Sequence, residues 1–316
     1  MIIYHASHEQ FAPDELLRYA VRAEEAGFEG IHSSDHFHPW SERQGHSGFA
    51  FAWMGAAMQA TRIPCGMICA PGQRYHPAIV AQAAATLARM FPNRFWMELG
   101  SGEALNERIT GEGWPAKSIR NARLLECVGI IRDLLAGKSV NHHGYVNVEE
   151  AKLYTLPEKP PPLLGAALSA ETAGWIGSWA DGLITASKPL EELWQIINAF
   201  KNNGGNGKPT YLKVQLSYAR DKQAAVDGAW DQWRSNVLPP ELSSDMYKVV
   251  HFDAMAGFVS KEDVRKAVHI SADLRQHTQW LKSYLDLGVD HLILHNVCRQ
   301  QDEFIEDFGK GVLPVL

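Results

Sequence analysis

The chain reads as an α/β protein, a single (β/α)8 TIM barrel with insertions spanning residues 1–316. Short apolar runs alternate with amphipathic segments along its whole length, and eight strand-then-helix units can be laid out in order. In addition, Asp35-His36 and Glu103 fall just past the ends of the second and fourth strands, the rim where such a barrel keeps its chemistry.

Ile2 to Ala6 is the first strand. Pro13 opens a helix whose Leu16, Leu17, Ala20 and Val21 recur at helical spacing until Gly27 stops it. Gly30 to Ser34 reads as a buried second strand, and a loop and a helix at about 52–60 lead to a third, Pro64 to Cys69, ended by Pro71-Gly72. A helix at about 77–90 runs into a fourth strand, Arg94 to Gly100, and a long helix follows at about 118–135. The stretch 137–162 breaks the rhythm. Val140, Tyr145, Val146 and Val148 have strand character, Gly144 suits a hairpin turn, and Pro160-Pro161-Pro162 is extended, so this is an excursion and not a domain boundary. Strands are then predicted at 163–167, 182–186, 210–218 and 291–296, with helices at about 169–180, 190–200, 224–234, 272–287 and 302–308. A second irregular insertion occupies about 236–265. In Asn202 to Lys208, Pro209 stands where a phosphate loop would need Ser or Thr, which removes a nucleotide-binding reading.

Composition is that of an ordinary globular protein: 46% hydrophobic, 21% charged, net charge -6. No basic surface invites nucleic acid or an anionic membrane, and no apolar run reaches membrane-spanning length. Cys65, Cys69, Cys127 and Cys298 lack the spacing of a zinc site or a disulfide framework, so reduced, buried thiols in a cytoplasmic protein without a metal are expected.

Ser34-Asp35-His36-Phe37-His38-Pro39-Trp40 is the stretch around which the chain is organised, because Pro39 bars a helix and leaves Asp35 and His36 where a strand gives way to a loop. A carboxylate beside an imidazole, followed by an indole able to cover a flat ligand, suits proton transfer to a substrate lying on an aromatic cofactor. The plainer alternative is a capped loop with two histidines in water. Below the rim, His32 and Glu98 lie on alternate strands, which share interior layers, so they are expected to pair unless they face opposite sides of the wall.

Several motifs in one order carry a resemblance: Ser34 to Phe37 with Pro39-Trp40, Arg74-Tyr75-His76-Pro77-Ala78, Pro92-Asn93-Arg94-Phe95 and Gly100 to Glu107. Together with Glu9 to Pro13 and Gly288 to Leu292, they resemble the luciferase-like flavin superfamily, most of all the group around the glucose-6-phosphate dehydrogenase that uses coenzyme F420. The resemblance implies a bacterial luciferase-like barrel, a homodimer, and a cofactor across the barrel mouth. It implies that Asp35 and His36 contact the ring, that His36 takes the substrate proton with Asp35 stabilising the cation, and that Glu103 is the complementary acid. Trp40 would pack on the substrate side. Met67-Ile68 would carry a non-proline cis bond behind the ring. Ser101, Gly102 and Asn106, with the amides of Ser169, Ala170 and Glu171 at a helix start, would hold the cofactor, its phosphate at that helix start and Glu171 turned outward. Ser169 reads equally as a plain N-cap.

Departures from the sugar-phosphate enzymes matter for substrate and cofactor. Leu168-Ser169-Ala170-Glu171 replaces a glycine-rich pair, Lys188 sits one place early for a substrate-phosphate lysine, and Arg265 and Lys266 do not align securely. Ala167 to Ser169, Gly174-Trp175 and Trp179 to Thr185 are similar to a branch that uses FMN, so FMN is preferred to coenzyme F420 at this point. Three functions stay open: hydride transfer between cofactor and a small alcohol or carbonyl compound, an FMN-dependent monooxygenase, and a non-catalytic flavin-binding protein. The loops 41–48 and 237–260 carry no code for the substrate.

Overall fold

The computed structural model describes residues 1–316, with Pro240 and Glu241 described by their backbone alone. Eight parallel strands close into a barrel: β1 (Ile2–Ala6), β2 (Gly30–Ser33), β3 (Cys65–Cys69), β4 (Phe95–Leu99), β5 (Leu163–Ala166), β6 (Leu183–Ala186), β7 (Thr210–Ser217) and β8 (His291–Asn296). Neighbours pair in sequence order, β8 returns to β1 through Ile2 opposite Leu292, and β8 meets β7 through His291 opposite Tyr211. Each strand is followed by a helix that covers its outer face. In the helix Pro13–Glu25 the buried side chains are Leu16, Tyr19, Ala20 and Ala23, one stripe at helical spacing. The predicted strand positions hold to within a residue or two.

The lumen is packed in layers. Ile3, Trp96, Leu164, Ile184, Tyr211 and Ile293 fill the lower one. Gly66 belongs to this layer by necessity, because a Cβ there would sit 1.9 Å from the Trp96 indole. Above it the filling turns polar. His32 Nε2 lies 2.7 Å from Glu98 Oε2, the expected pair, while Trp96 Nε1 donates to Glu98 Oε1 at 2.9 Å and His5 Nδ1 meets His32 Nδ1 at 2.7 Å.

Both excursions have structure of their own. Val140–His143 and Asn147–Ala151 form an antiparallel hairpin with Gly144 in its turn. Tyr145 and Val146, expected in a strand, lie in that turn, where the Glu126 carboxylate accepts from the Tyr145 amide at 2.8 Å. The second insertion is helical and not irregular, with Val249–Ala256 and Lys261–Ala267 after a turn of helix at Pro240–Ser243. It folds over the barrel mouth: Phe252 meets Trp40 edge-on at 5.1 Å, Asp253 accepts from Ser41, and Asp245 accepts from Trp114 Nε1 at 3.1 Å. No helix is long and apolar enough to cross a membrane among the described residues, and the four cysteines are free and buried.

Candidate active site

The mouth gathers residues from the ends of β1, β2 and β4. His36, three residues past β2, places Nδ1 2.8 Å from Glu9 Oε1 and Nε2 3.8 Å from Glu103 Oε2. Glu9 is buried, and its second oxygen accepts from Ser7 Oγ at 2.7 Å and Ser34 Oγ at 3.0 Å, so the carboxylate is rigidly held behind the imidazole. Trp40 stands edge-on to His36 at 5.4 Å, and its amide donates to Gln44 Oε1. A cavity of about 440 Å³ adjoins His36 and is lined by Phe37, Ser47, Phe49, Arg74, Tyr75 and Ile109.

These contacts push the two titrating groups in ways that suit proton transfer. Burial works against the His36 cation, but the carboxylates of Glu9 and then Glu103 outweigh it, and the pKa is raised above 6.5. For Glu9 burial is likewise outweighed, here by His36 and the Ser7 hydroxyl, and its pKa falls well below 4.5. Glu103 goes the other way. Burial raises its pKa, only partly opposed by His36, and its Oε2 has no hydrogen-bond partner among the described residues. A carboxyl inclined to keep its proton thus faces an imidazole inclined to take one.

Several expected roles are placed differently. Asp35 does not touch His36: its carboxylate accepts from Arg74 Nη2 at 2.9 Å and from the Tyr75 hydroxyl at 3.0 Å, and the Arg74 guanidinium also faces Glu107 at 3.4 Å. Glu9 therefore replaces Asp35 as the partner of His36. The carboxylate of Asp35 is spent on anchoring the loop from below, because a buried charge seeks the nearest guanidinium. Asn106 accepts at Oδ1 from the amides of Phe37 and His38 (2.9 and 3.2 Å), which ties the His36 loop to the β4 rim and leaves that oxygen no freedom for a cofactor. Met67 points outward into the helix layer, packed in the main core, while Ile68 alternates inward. There is no cis peptide bond among the described residues, so the Met67-Ile68 linkage is trans. Its neighbours explain this: Met67 and Ile68 stay in register with Met97 and Glu98, and the strand has no bend to absorb.

The remaining positions lie on the same rim. Gly102 has φ +80°, and a Cβ there would fall 2.8 Å from Glu107 Cγ, so this turn demands glycine. Small residues surround it: a Cβ at Gly102 would also lie 3.3 Å from Ala70 Cβ, and one at Gly100 would lie 3.8 Å from Ala166 Cβ. Ser169 caps the helix Ala170–Gly177 by accepting from the Thr172 amide at 3.3 Å, and Glu171 is exposed. Lys117 reaches the same turn, 3.4 Å from Thr172 Oγ1, and sets a cation where Glu171 alone would repel an anion. Glu9, Arg74, Lys117 and the lumenal Lys213 had no assigned role in the sequence. Two signals were available for Glu9: it opens the Glu9 to Pro13 motif, and it lies three residues past β1 as His36 lies three past β2.

The fold and this rim have clear relatives. Residues 3–291 match the luciferase-like monooxygenase family. An F420-dependent glucose-6-phosphate dehydrogenase from Kribbella flavida is 35% identical over 325 residues, covering 99% of this chain and 97% of that one, and its counterpart from Amycolatopsis mediterranei is also 35% identical. An F420-dependent secondary alcohol dehydrogenase, solved in complex with an F420-acetone adduct, superposes with a TM-score of 0.92 at 30% identity over 100% of this chain and 99% of its own. The tetrahydromethanopterin reductase of Methanopyrus kandleri, 18% identical with a TM-score of 0.79, shares the fold. The chain belongs to the luciferase-like monooxygenase family. Within it, the chain is an oxidoreductase.

Proposed function

We propose that this chain transfers a hydride between coenzyme F420 and a small, uncharged alcohol or the matching carbonyl compound. The observation that carries this is the pair of titrating groups at the mouth, His36 Nε2 and Glu103 Oε2, 3.8 Å apart and held in opposite environments. When bound, the cofactor supplies or takes the hydride. His36, braced by Glu9, accepts the hydroxyl proton of the alcohol at Nε2 or returns it to the carbonyl oxygen. Glu103 serves the ring side, and Trp40, backed by Phe252, shields the reacting centre from water. The small residues at Ala70, Gly100 and Gly102 suit the ring, and the helix start at Ser169 with Lys117 suits an anionic tail.

Support for F420 in place of FMN comes from the relatives that are 30% or more identical, which are named for F420. Support for an uncharged substrate comes from the cations. Lys188, partly buried, pairs with Glu192 at 3.2 Å, and on the surface Lys266 pairs with Asp263 at 3.2 Å and Arg265 lies 4.0 Å from Glu262. Each has a carboxylate beside it that a sugar phosphate would have to displace. The homodimer implied by the resemblance belongs to this proposal too, and Ile79 and Met90, exposed on the helix Pro77–Met90, offer apolar surface for it. The test is to mix purified protein with oxidised F420 and a secondary alcohol, or with glucose 6-phosphate, and to follow deazaflavin absorbance. Reduction with the alcohol and none with the sugar phosphate is expected. Oxygen uptake with reduced FMN, and no reaction with F420 and any alcohol or ketone, would replace this function with a monooxygenase.

A further inference from the structure

The polar layer of the lumen holds a run of hydrogen bonds that the chemistry above leaves unused. Glu98 Oε2 lies 2.7 Å from His32 Nε2, and His32 Nδ1 lies 2.7 Å from His5 Nδ1, all three side chains being buried. Each contact holds one proton, because two lone pairs or two N–H groups do not face one another so closely. Two arrangements satisfy this with both imidazoles neutral. With Glu98 ionised, His32 carries its proton on Nε2 and His5 on Nδ1, and His5 Nε2 is a bare lone pair. With Glu98 protonated, its O–H donates to His32 Nε2, His32 Nδ1–H donates to His5 Nδ1, and His5 carries its proton on Nε2. The two arrangements differ by one proton, which enters or leaves at His5 Nε2.

That open end has a neighbour of the same kind. The Gln10 amide nitrogen donates to the Val297 carbonyl at 2.9 Å, so its oxygen accepts from His295 Nε2 at 2.9 Å and His295 Nδ1 is left as a lone pair. The His295 and His5 ring centroids are 4.3 Å apart, and both His5 Nε2 and His295 Nδ1 are buried with no partner among the described residues. Two acceptors without a donor call for water. We propose that Glu98, His32 and His5 form a one-proton relay. A hydronium gives its proton to His5 Nε2 and is left as water, the His5 Nδ1 proton passes to His32 Nδ1, and the His32 Nε2 proton passes to Glu98 Oε2. The reverse sequence discharges the carboxyl, and no electrons change hands. The relay gives Glu98, which has no exposed surface, a route for its proton. Besides the relay itself, Trp96 Nε1, Tyr211 and Lys213 bear on Glu98, His295 bears on His32, and Lys213, His295 and His8 bear on His5. Burial, with Lys213 next, holds the His5 pKa well below 6.5, so the proton passes through His5 and does not rest there as an imidazolium.

The experiment reads the ring tautomers of His5 and His32 by NMR of the whole chain with isotope-labelled histidine, without cofactor or substrate. Glu98→Gln fixes the relay in its protonated pattern: Trp96 Nε1 donates at 2.9 Å to the position that the amide oxygen must take, so the amide NH₂ meets His32 Nε2. In the unaltered protein at about pH 8, His32 should carry its proton on Nε2 and His5 on Nδ1. In Glu98→Gln both should reverse, His5 included, although the altered side chain touches only His32. A His5 ring that keeps the same tautomer in both proteins overturns the proposal. If Glu98→Gln does not fold, the unaltered protein taken from about pH 8 to about pH 4 decides. Both rings should then exchange tautomers at one common midpoint, and separate midpoints or no exchange overturn the proposal equally. Because no turnover is read, failure here is distinct from failure of the hydride-transfer function, which the alcohol assay decides.

Discussion

At the scale of single residues, the site works because one imidazole has a carboxylate behind it and a second carboxyl in front. His36→Ala removes the group that moves the substrate proton, so turnover with the alcohol should fall by roughly 10²–10⁴-fold while cofactor affinity changes little. Steady-state kinetics and a cofactor titration separate the two. The pH dependence has a definite sign. With the His36 pKa raised above 6.5, the neutral base needed for alcohol oxidation appears only as pH rises through that raised value, and the imidazolium that serves carbonyl reduction persists below it. Oxidation should therefore show an acid limb above 6.5, and reduction should decline over the same interval. Glu9→Gln takes away the main charge that raises the imidazole, and the limb should move down toward the ordinary value. A limb that stays put in Glu9→Gln would deny Glu9 this role.

At the scale of elements, the loop after β2 is held more tightly than its sequence suggests. Pro39 excludes a helix, but the loop's position comes from three remote anchors: Arg74 and Tyr75 on Asp35, Asn106 on the amides of Phe37 and His38, and the second insertion on Trp40. Asn106→Ala leaves those two amides without their acceptor, at a cost of about 1–3 kcal/mol. It should lower thermal stability modestly and raise KM more than it lowers kcat, because His36 keeps its own partner but loses its fixed approach. Equal stability in the variant would mean that water replaces the amide oxygen. The motif Pro92-Asn93-Arg94-Phe95 has a similar structural purpose. Asn93 takes φ +60°, and the Arg94 guanidinium donates to the carbonyls of Met58, Thr61 and Ile63, which clamps the entry to β4.

At the scale of the whole molecule, the barrel interior is a packed apolar layer beneath a polar one, and the two meet at Trp96 and Glu98. The apolar layer depends on Gly66 yielding its space to the Trp96 indole. Gly66→Ala should destabilise the protein by about 1–3 kcal/mol through overpacking, and adding Trp96→Phe should recover part of the loss. Thermal or denaturant unfolding of the single and double variants tests this coupling. Simple additivity would show that the indole moves aside freely.

The order of strands and helices, the barrel, the rim location of His36 and Glu103, and the interior pairing of His32 with Glu98 were legible in the sequence. Each follows from local periodicity, turn residues and the alternation of a strand, which act over a few positions. What decided the partners of those residues acts across the fold. Asp35 adjoins His36 in the chain but turns to Arg74, 39 residues away, whereas Glu9, 27 residues before His36, supplies the carboxylate. Buried charges choose the partner that best replaces lost water, and which one that is depends on how eight strands converge at one rim. The helices over the mouth were missed for a related reason: in Val249–Ala256 apolar residues fall on every side of the helix, so no stripe marks it, and the packing of Phe252 against Trp40 is decided only by the fold.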